Sequence, residues 1–111
     1  MAIDNRETII VMTNLPDRAT ATRLASLLVE RRYAACVNIL AESTSVYRWQ
    51  GRVETATEVP MLIKTSLCAY SRLEQEILAH HPYELPEIVG VSPTVGLPRY
   101  LDWVATESIA E

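Results

Sequence analysis

Residues 43–66 read STSVYRWQGRVETATEVPMLIKTS. Gly51 follows Gln50 between two runs rich in β-branched and aromatic residues, a pattern that predicts a β-hairpin. Both strands exceed the common length of about 5–6 residues, so the hairpin should form an arm that projects beyond the core. Pro60 predicts an edge position or a bulge in the returning strand, because proline donates no ladder hydrogen bond.

The segments around the hairpin alternate between strand and helix patterns. Short β-branched apolar runs indicate strands, and apolar residues spaced three or four positions apart indicate helices. One helix is expected to begin at Asp17, a favourable N-cap, and another to end before Pro82, which disfavours the α conformation at the preceding residue. The predicted strands are 7–13, 33–50, 52–66 and 87–93. The predicted helices are 17–32, 98–108 and a third one between them, in which Tyr70, Leu73, Ile77 and His81 share a face.

This order of elements is βαββαβ followed by a short terminal helix, which is the split βαβ arrangement of ferredoxin-like folds. The chain has 111 residues and contains neither a linker nor a repeat, so it is expected to form one domain spanning 1–111. The sequence therefore predicts an α+β ferredoxin-like sandwich with a long hairpin arm.

Composition excludes several classes of function. The 10 basic and 14 acidic residues give a net charge of −4, whereas nucleic-acid-binding domains carry a basic surface. No apolar run approaches the roughly 20 residues that span a bilayer, and the N-terminus lacks a signal-peptide pattern. Cys36 and Cys68 have no metal-ligand spacing and are expected to be free thiols. We therefore expect a cytoplasmic protein that binds neither nucleic acid nor membrane.

The segment 80–88, HHPYELPEI, holds the most prominent candidates for chemistry. His80 and His81 either bind a metal ion or satisfy the last carbonyls of the helix. Glu84 and Glu87 either act as a general acid and base or are solvated loop carboxylates. The two prolines restrict the backbone and predict a rigid corner between a helix and a strand, whichever of these interpretations holds.

A second set of polar residues lies along the predicted strands. Glu58 and Lys64 are six residues apart on one strand and therefore face the same side, either as exposed charges or as part of a polar groove. Tyr47 and Trp49 share a face across the hairpin and are the candidates to complete that groove. Asn38 is polar within an apolar strand and needs hydrogen-bond partners if it is buried.

These residues, in their order along the chain, resemble the CutA family of divalent-cation-tolerance proteins. The resemblance runs from about Thr13 to Trp103 and rests on AACVNI, SVYRWQG, the glutamate six positions before KT, HHPYELPEI and YLDW. It implies a ferredoxin-like fold similar to that of PII signalling proteins, and a homotrimer whose hairpin arms pair edge to edge. The family is linked to tolerance of copper and other divalent cations, and no enzymatic reaction is firmly attached to it, so we do not expect an enzyme.

The resemblance also implies two sets of site residues. Copper-binding members use the paired histidines, here His80 and His81, with a cysteine whose position is occupied by Thr13. That threonine removes the softest ligand and should weaken Cu(I) binding most, while Met12 points to the opposite face of its strand. The cleft between subunits would be lined by Cys36, Asn38, Tyr47, Trp49, Glu58, Lys64, His81, Tyr83, Glu84 and Glu87.

Three functions are compatible with these residues. The first is a trimeric binding protein that responds to copper, another divalent cation or a small, for example anionic, ligand in the cleft between its subunits. The second is an enzyme that uses Glu84 or Glu87 with His81 in acid–base catalysis. The third is a structural trimer that displays a surface to anchor a partner protein.

Overall fold

The longest element is a strand of 15 residues, and the sheet is assembled around it. A computed structural model describes residues 6–109 of the chain. Its elements, in chain order, are β1 (Thr8–Leu15), α1 (Arg18–Glu30), β2 (Cys36–Ile39), β3 (Ser43–Trp49), β4 (Arg52–Ser66), α2 (Leu67–His80), β5 (Val89–Val91) and α3 (Pro98–Glu107).

β4 has neighbours along both of its edges. Its second half pairs with β1, from Leu15 opposite Val59 to Thr8 opposite Ser66, and β1 in turn pairs with β5. Its other edge pairs first with β3 and then with β2, so that the strand order is β2-β4-β1-β5 with β3 beside β4. All of these pairs are antiparallel, and the predicted α+β ferredoxin-like fold is confirmed.

The prediction of one continuous strand over 33–50 was wrong, because residues 40–42 separate β2 from β3. These three residues lie opposite only two residues of β4, Val59 and Pro60, which is the geometry of a bulge. The Leu40 N–H donates to the Pro60 carbonyl at 2.9 Å. The N and C=O of a strand residue point to the same neighbour, so the missing N–H of Pro60 faces the interruption. Pro60 therefore lies in an inner strand beside a bulge, rather than at an edge.

The hydrophobic core lies between one face of the sheet and the two helices α1 and α2. Val11 lies opposite Ile63 and Leu15 opposite Val59, and all four side chains are buried because directly opposed residues share a face. Burying one such side chain stabilises the fold by about 1.5–3 kcal/mol relative to leaving it exposed. The helices contribute Ala21, Leu24, Ala25, Leu28, Leu73 and Ile77.

The opposite face of the sheet is less well covered. We call it the open face and define it by Ile10, Met12 and Leu62, which are half-buried, and by Val89 and Val91, which are each 47% exposed. The register places Ile10 opposite Val91 and Met12 opposite Val89. Consecutive residues of a strand point to opposite faces, so this face follows directly from the buried positions of β1 and β4.

The turns and helix ends follow local sequence rules. Gln50 and Gly51 adopt φ values of 49° and 81°, the left-handed pair that closes a two-residue hairpin. Asp17 caps α1 by accepting a hydrogen bond of 2.7 Å from the Thr20 N–H, and this bond lowers the pKa of its carboxyl group. α2 ends at His80, before Pro82, as predicted. Within residues 6–109, none of the helices is long and apolar enough to cross a membrane.

Adjacent residues of α2 provide a direct test of the assigned core. Ile77 is 0% exposed and Leu78 is 53% exposed, so Ile77→Ala should lower the free energy of unfolding by about 2–5 kcal/mol. Leu78→Ala removes a side chain of similar size from the surface and should change it by less than about 0.5 kcal/mol. Chemical denaturation of both variants measures the difference, and equal effects would contradict the assigned orientation of α2.

Candidate functional site

The main cleft lies between the hairpin arm and the segment that follows α2. Tyr47 and Trp49 alternate with outward-facing residues along β3 and therefore project from one face of the arm. The same face carries Glu58, which β4 contributes opposite the start of β3. The cleft has a volume of about 840 Å³. It is lined by Asn14, Ser45, Val46, Tyr47, Trp49, Ala56, Glu58, Pro82, Tyr83, Glu84, Leu85 and Glu87.

The second wall of the cleft is attached to the end of β1 through His81. This imidazole is 9% exposed, and its Nε2 hydrogen-bonds the carbonyl oxygen of Asn14 at 2.7 Å. Its Nδ1 accepts the Tyr83 N–H at 3.2 Å, which requires the neutral ring to carry its proton on Nε2. The Asn14 amide also donates to Glu87 Oε1 at 3.3 Å. We call residues 82–87 the corner. His81 therefore attaches the start of the corner to the end of β1 and fixes the backbone direction at Tyr83.

A buried carboxylate lies at the base of the cleft. Glu58 is 8% exposed, and the Tyr83 hydroxyl lies near its carboxylate. Burial is the largest cause that raises the pKa of Tyr83 to about 12, followed by the interaction of its hydroxyl with Glu58 and by the negative charge of that carboxylate. The Tyr83 ring also packs on the His81 ring, with centroids 4.7 Å apart. The hydroxyl is thereby held in its neutral form as a donor to the carboxylate.

Six of the ten residues predicted for a cleft between subunits line this cleft within one chain: Tyr47, Trp49, Glu58, Tyr83, Glu84 and Glu87. The placement of the cleft between subunits stays a prediction. His81 stands behind this wall, in contact with Tyr83. Sequence reasoning missed several lining residues, among them Asn14 and Ser45. Strand alternation could have identified Ser45, because it lies two positions before Tyr47 on the same face. Nothing local marks Asn14, which reaches the cleft only because β1 ends beside the corner.

The other three predicted cleft residues lie together elsewhere. Cys36 pairs with Lys64 in the sheet register, and the Lys64 ammonium donates to the Asn38 side-chain oxygen. Burial, and after it the proximity of Cys36, raises the pKa of Tyr100 in α3. Six residues of extended strand separate Glu58 from Lys64 by roughly 20 Å. The two charges share a side of β4, as predicted, but they do not share the cleft.

The predicted metal ligands have other partners within the chain. His80 Nε2 lies 3.0 Å from Glu76 Oε1, which also receives the Arg31 guanidinium at 2.7 Å. Both ring nitrogens of His81 are already hydrogen-bonded. Thr13 is 1% exposed and lies opposite Met61, on the face turned toward the helices. Residues 6–109 contain no group of three or more His, Cys, Asp or Glu side chains that could hold a metal ion.

These residues therefore do not fit a preformed copper centre within one chain. Copper and zinc sites usually require three or four protein ligands with available lone pairs. Of the three predicted ligands, only the His80 imidazole is accessible, since its side chain is 49% exposed. A site that uses His80, His81 and Thr13 remains a prediction for the assembled protein.

The buried Thr13 hydroxyl has an effect on stability that can be measured. Thr13 Oγ1 has no hydrogen-bond partner within the described residues, so Thr13→Val should raise the free energy of unfolding by about 1 kcal/mol. Thr65 is equally buried, but its hydroxyl donates to the Tyr33 carbonyl at 2.6 Å. Thr65→Val should therefore lower the free energy of unfolding by about 1–3 kcal/mol. Denaturant titration measures both values, and destabilisation by Thr13→Val would contradict the assigned environment.

The titration of Tyr83 reports on its contact with Glu58. Its folded-state pKa of about 12 exceeds the ordinary value of 10.0, so its contribution to stability is fully present below pH 10 and is lost as pH rises toward 12. The difference between the alkaline absorbance titrations of the wild type and Tyr83→Phe isolates this phenol. Repeating the measurement in Glu58→Gln should lower the pKa of Tyr83. An unchanged midpoint would show that Glu58 and Tyr83 are not in contact.

The chain is similar in sequence and in structure to many known proteins. The model of the CutA1 divalent ion tolerance protein family matches residues 9–107. A divalent-cation tolerance protein CutA of Thermus thermophilus is 43% identical over 95 residues, covering 86% of this chain and 92% of the relative. The crystal structure of CutA from Xylella fastidiosa has a TM-score of 0.89 at 40% identity and covers 92% of this chain and 98% of its own. A CutA from Archaeoglobus fulgidus, described as periplasmic, has a TM-score of 0.87 at 33% identity and covers 91% and 98%.

Proposed function

The chain belongs to the CutA1 divalent ion tolerance protein family, and we propose that it is a homotrimeric binding protein. It binds a small ligand in the cleft between its hairpin arm and the 82–87 corner, and it acts in cation tolerance through binding rather than catalysis. With its two cysteines free, the protein suits the reducing cytoplasm.

The cleft is the single observation that carries this proposal. Its volume of about 840 Å³ lies within the range of small-molecule sites, which combine apolar and aromatic walls with a few polar groups. Its polar groups are positioned by hydrogen bonds, since His81 fixes the corner and Tyr83 meets Glu58. A site that is already formed costs less free energy to order when a ligand binds.

Two surfaces support assembly into a homotrimer. β3 pairs with β4 along one edge only, within the described residues, and its other edge is available to another chain. The arm formed by β3 and β4 also exposes Val46 and Val53 at 66% and 65%. The open face adds apolar surface on the body of the domain. Edge pairing of arms and burial of the open face would cover both in an assembly of copies.

Binding is favoured over acid–base catalysis by the state of His81. A general base must offer a free nitrogen to the proton that it removes, whereas Nδ1 and Nε2 of this ring both hydrogen-bond the backbone. Glu84 and Glu87 are exposed residues of the corner, as solvated carboxylates would be. The residues of the HHPYELPEI segment thus support a binding wall more directly than a catalytic centre.

Native mass spectrometry of protein purified without added metal tests the proposal. It should give three subunits, and replacing Val89 and Val91 together by Glu should produce monomers, because charges on the open face oppose its burial. Leu78→Glu is the matched control, since it adds a charge on the helix layer, on the other side of the sheet, and should leave the trimer intact.

The same spectra record any ligand or metal ion that the protein retains. A monomer from the wild-type chain would overturn the proposed assembly. Trimers that survive both valine replacements would place the interface elsewhere. Retained copper would support the histidine pair as ligands, whereas a retained organic molecule would favour the cleft.

A further inference from the structure

The charged residues that line the cleft are all acidic. Glu58, Glu84 and Glu87 all line it, and its twelve lining residues include no Lys, Arg or His. Carboxylates gathered in a concave, partly apolar site raise the local concentration of cations and repel anions. The cleft is therefore unsuited to the small anionic ligand considered from the sequence.

Glu58 supplies the most specific indication of the ligand. It is 8% exposed, and within residues 6–109 no Lys, Arg or His forms a salt bridge with it. Among the described residues, the neutral hydroxyl of Tyr83 lies near its carboxylate. Buried carboxylates are ordinarily paired with a cation or with several donors, because the loss of hydration is costly. A cation with N–H donors would complete the environment of Glu58.

The aromatic side chains around Glu58 suit the same kind of ligand. Tyr47, Trp49 and Tyr83 line the cleft together with this carboxylate. The face of an aromatic ring attracts ammonium and guanidinium groups, most strongly in the case of tryptophan. The same rings bury the hydrocarbon part of an organic ligand, so a cation and an apolar body are accommodated side by side.

An organic cation fits these features better than a metal ion. Hard divalent cations require about six to eight oxygen ligands close together, and residues 6–109 contain no group of three acidic or histidine side chains close enough to hold an ion. The cleft volume of about 840 Å³ also far exceeds the space that a single ion occupies. The carboxylates lie instead around a cavity with aromatic walls.

We propose that the cleft binds a small organic cation of the alkylammonium or guanidinium class. The cationic nitrogen donates hydrogen bonds to the Glu58 carboxylate, and the hydrocarbon part lies along Tyr47 and Trp49. This inference rests on the cleft being the ligand site of the proposed function and adds the chemical class of the ligand. An arginine from a neighbouring copy could donate the same hydrogen bonds to Glu58. The binding experiment below distinguishes this arginine from a free organic cation.

Three probes with the same four-carbon chain separate charge from shape: butylammonium, butan-1-ol and butyrate. In the Trp103→Phe variant, Trp49 is the remaining tryptophan of the chain's two, and its fluorescence reports on the cleft. The replaced Trp103 lies on α3, beside Tyr100 and outside the cleft. Only butylammonium should change the Trp49 emission, with saturation, and calorimetry on the wild-type trimer should give the same affinity.

Two substitutions test the assigned contacts. Glu58→Gln should weaken butylammonium binding by about tenfold or more, because it removes the charge that the ligand approaches. Glu84→Gln, at an exposed position of the corner, should weaken it less and keeps the test available if Glu58→Gln fails to fold. Trp49→Leu should also weaken binding measured by calorimetry, whereas Trp103→Leu should not.

The outcomes separate this inference from the proposed function. Equal binding of butylammonium and butan-1-ol would overturn the cationic class, and preferential binding of butyrate would overturn it while keeping the cleft as a ligand site. No binding to a verified trimer would also overturn it, and binding that appears only in the monomeric double valine variant would assign the cleft to a neighbouring copy. Failure to form a trimer concerns the proposed function and is read separately by native mass spectrometry.

Discussion

One long strand, β4, belongs to the core and to the arm at once, because it pairs with β1 and β2 in its second half and with β3 in its first half. Its second half, from Val59 to Ser66, pairs with β1 and buries alternate side chains under α1 and α2. Its first half, from Arg52 to Glu58, extends beyond the helices and pairs with β3 alone. Side chains alternate between the two faces along the strand, so the register that buries Val59 in the core also places Glu58 on the face of the arm that lines the cleft.

Pro60 marks the point where these two roles meet. It has no N–H to offer a neighbour, and the strand opposite is interrupted at residues 40–42. The interruption separates β2, which belongs to the body of the domain, from β3, which belongs to the arm. Glu58 lies two residues before the proline, on the side of the arm that faces the corner. The bulge at residues 40–42 therefore lies next to Glu58, the most buried carboxylate of the cleft.

The corner, which forms the wall of the cleft opposite the arm, is held in place by a structural histidine, His81. His81 follows the last residue of α2 and joins the end of β1 to the backbone of Tyr83 through both ring nitrogens. Such a residue needs a particular tautomer, which the two hydrogen bonds impose. His80, its neighbour, points instead to Glu76 and Arg31 between α1 and α2. The adjacent histidines thus serve different surfaces of the domain, because α2 ends at His80 and the backbone is extended at His81, with φ −83° and ψ 131°.

Periodicity, the Gln50–Gly51 turn, the Asp17 cap and Pro82 are local signals, and from them the sequence alone predicted the fold class, although residues 40–42 interrupt one predicted strand. The sequence also determined which face of the arm carries Tyr47 and Trp49, since alternation needs no tertiary contact. Only the tertiary structure decided that Glu58 and Lys64 belong to separate places, that Asn14 joins the cleft, and that Thr13 faces the helices. Those outcomes depend on register and on how the corner folds back against β1, and contacts between residues far apart in the chain are not encoded in any short segment.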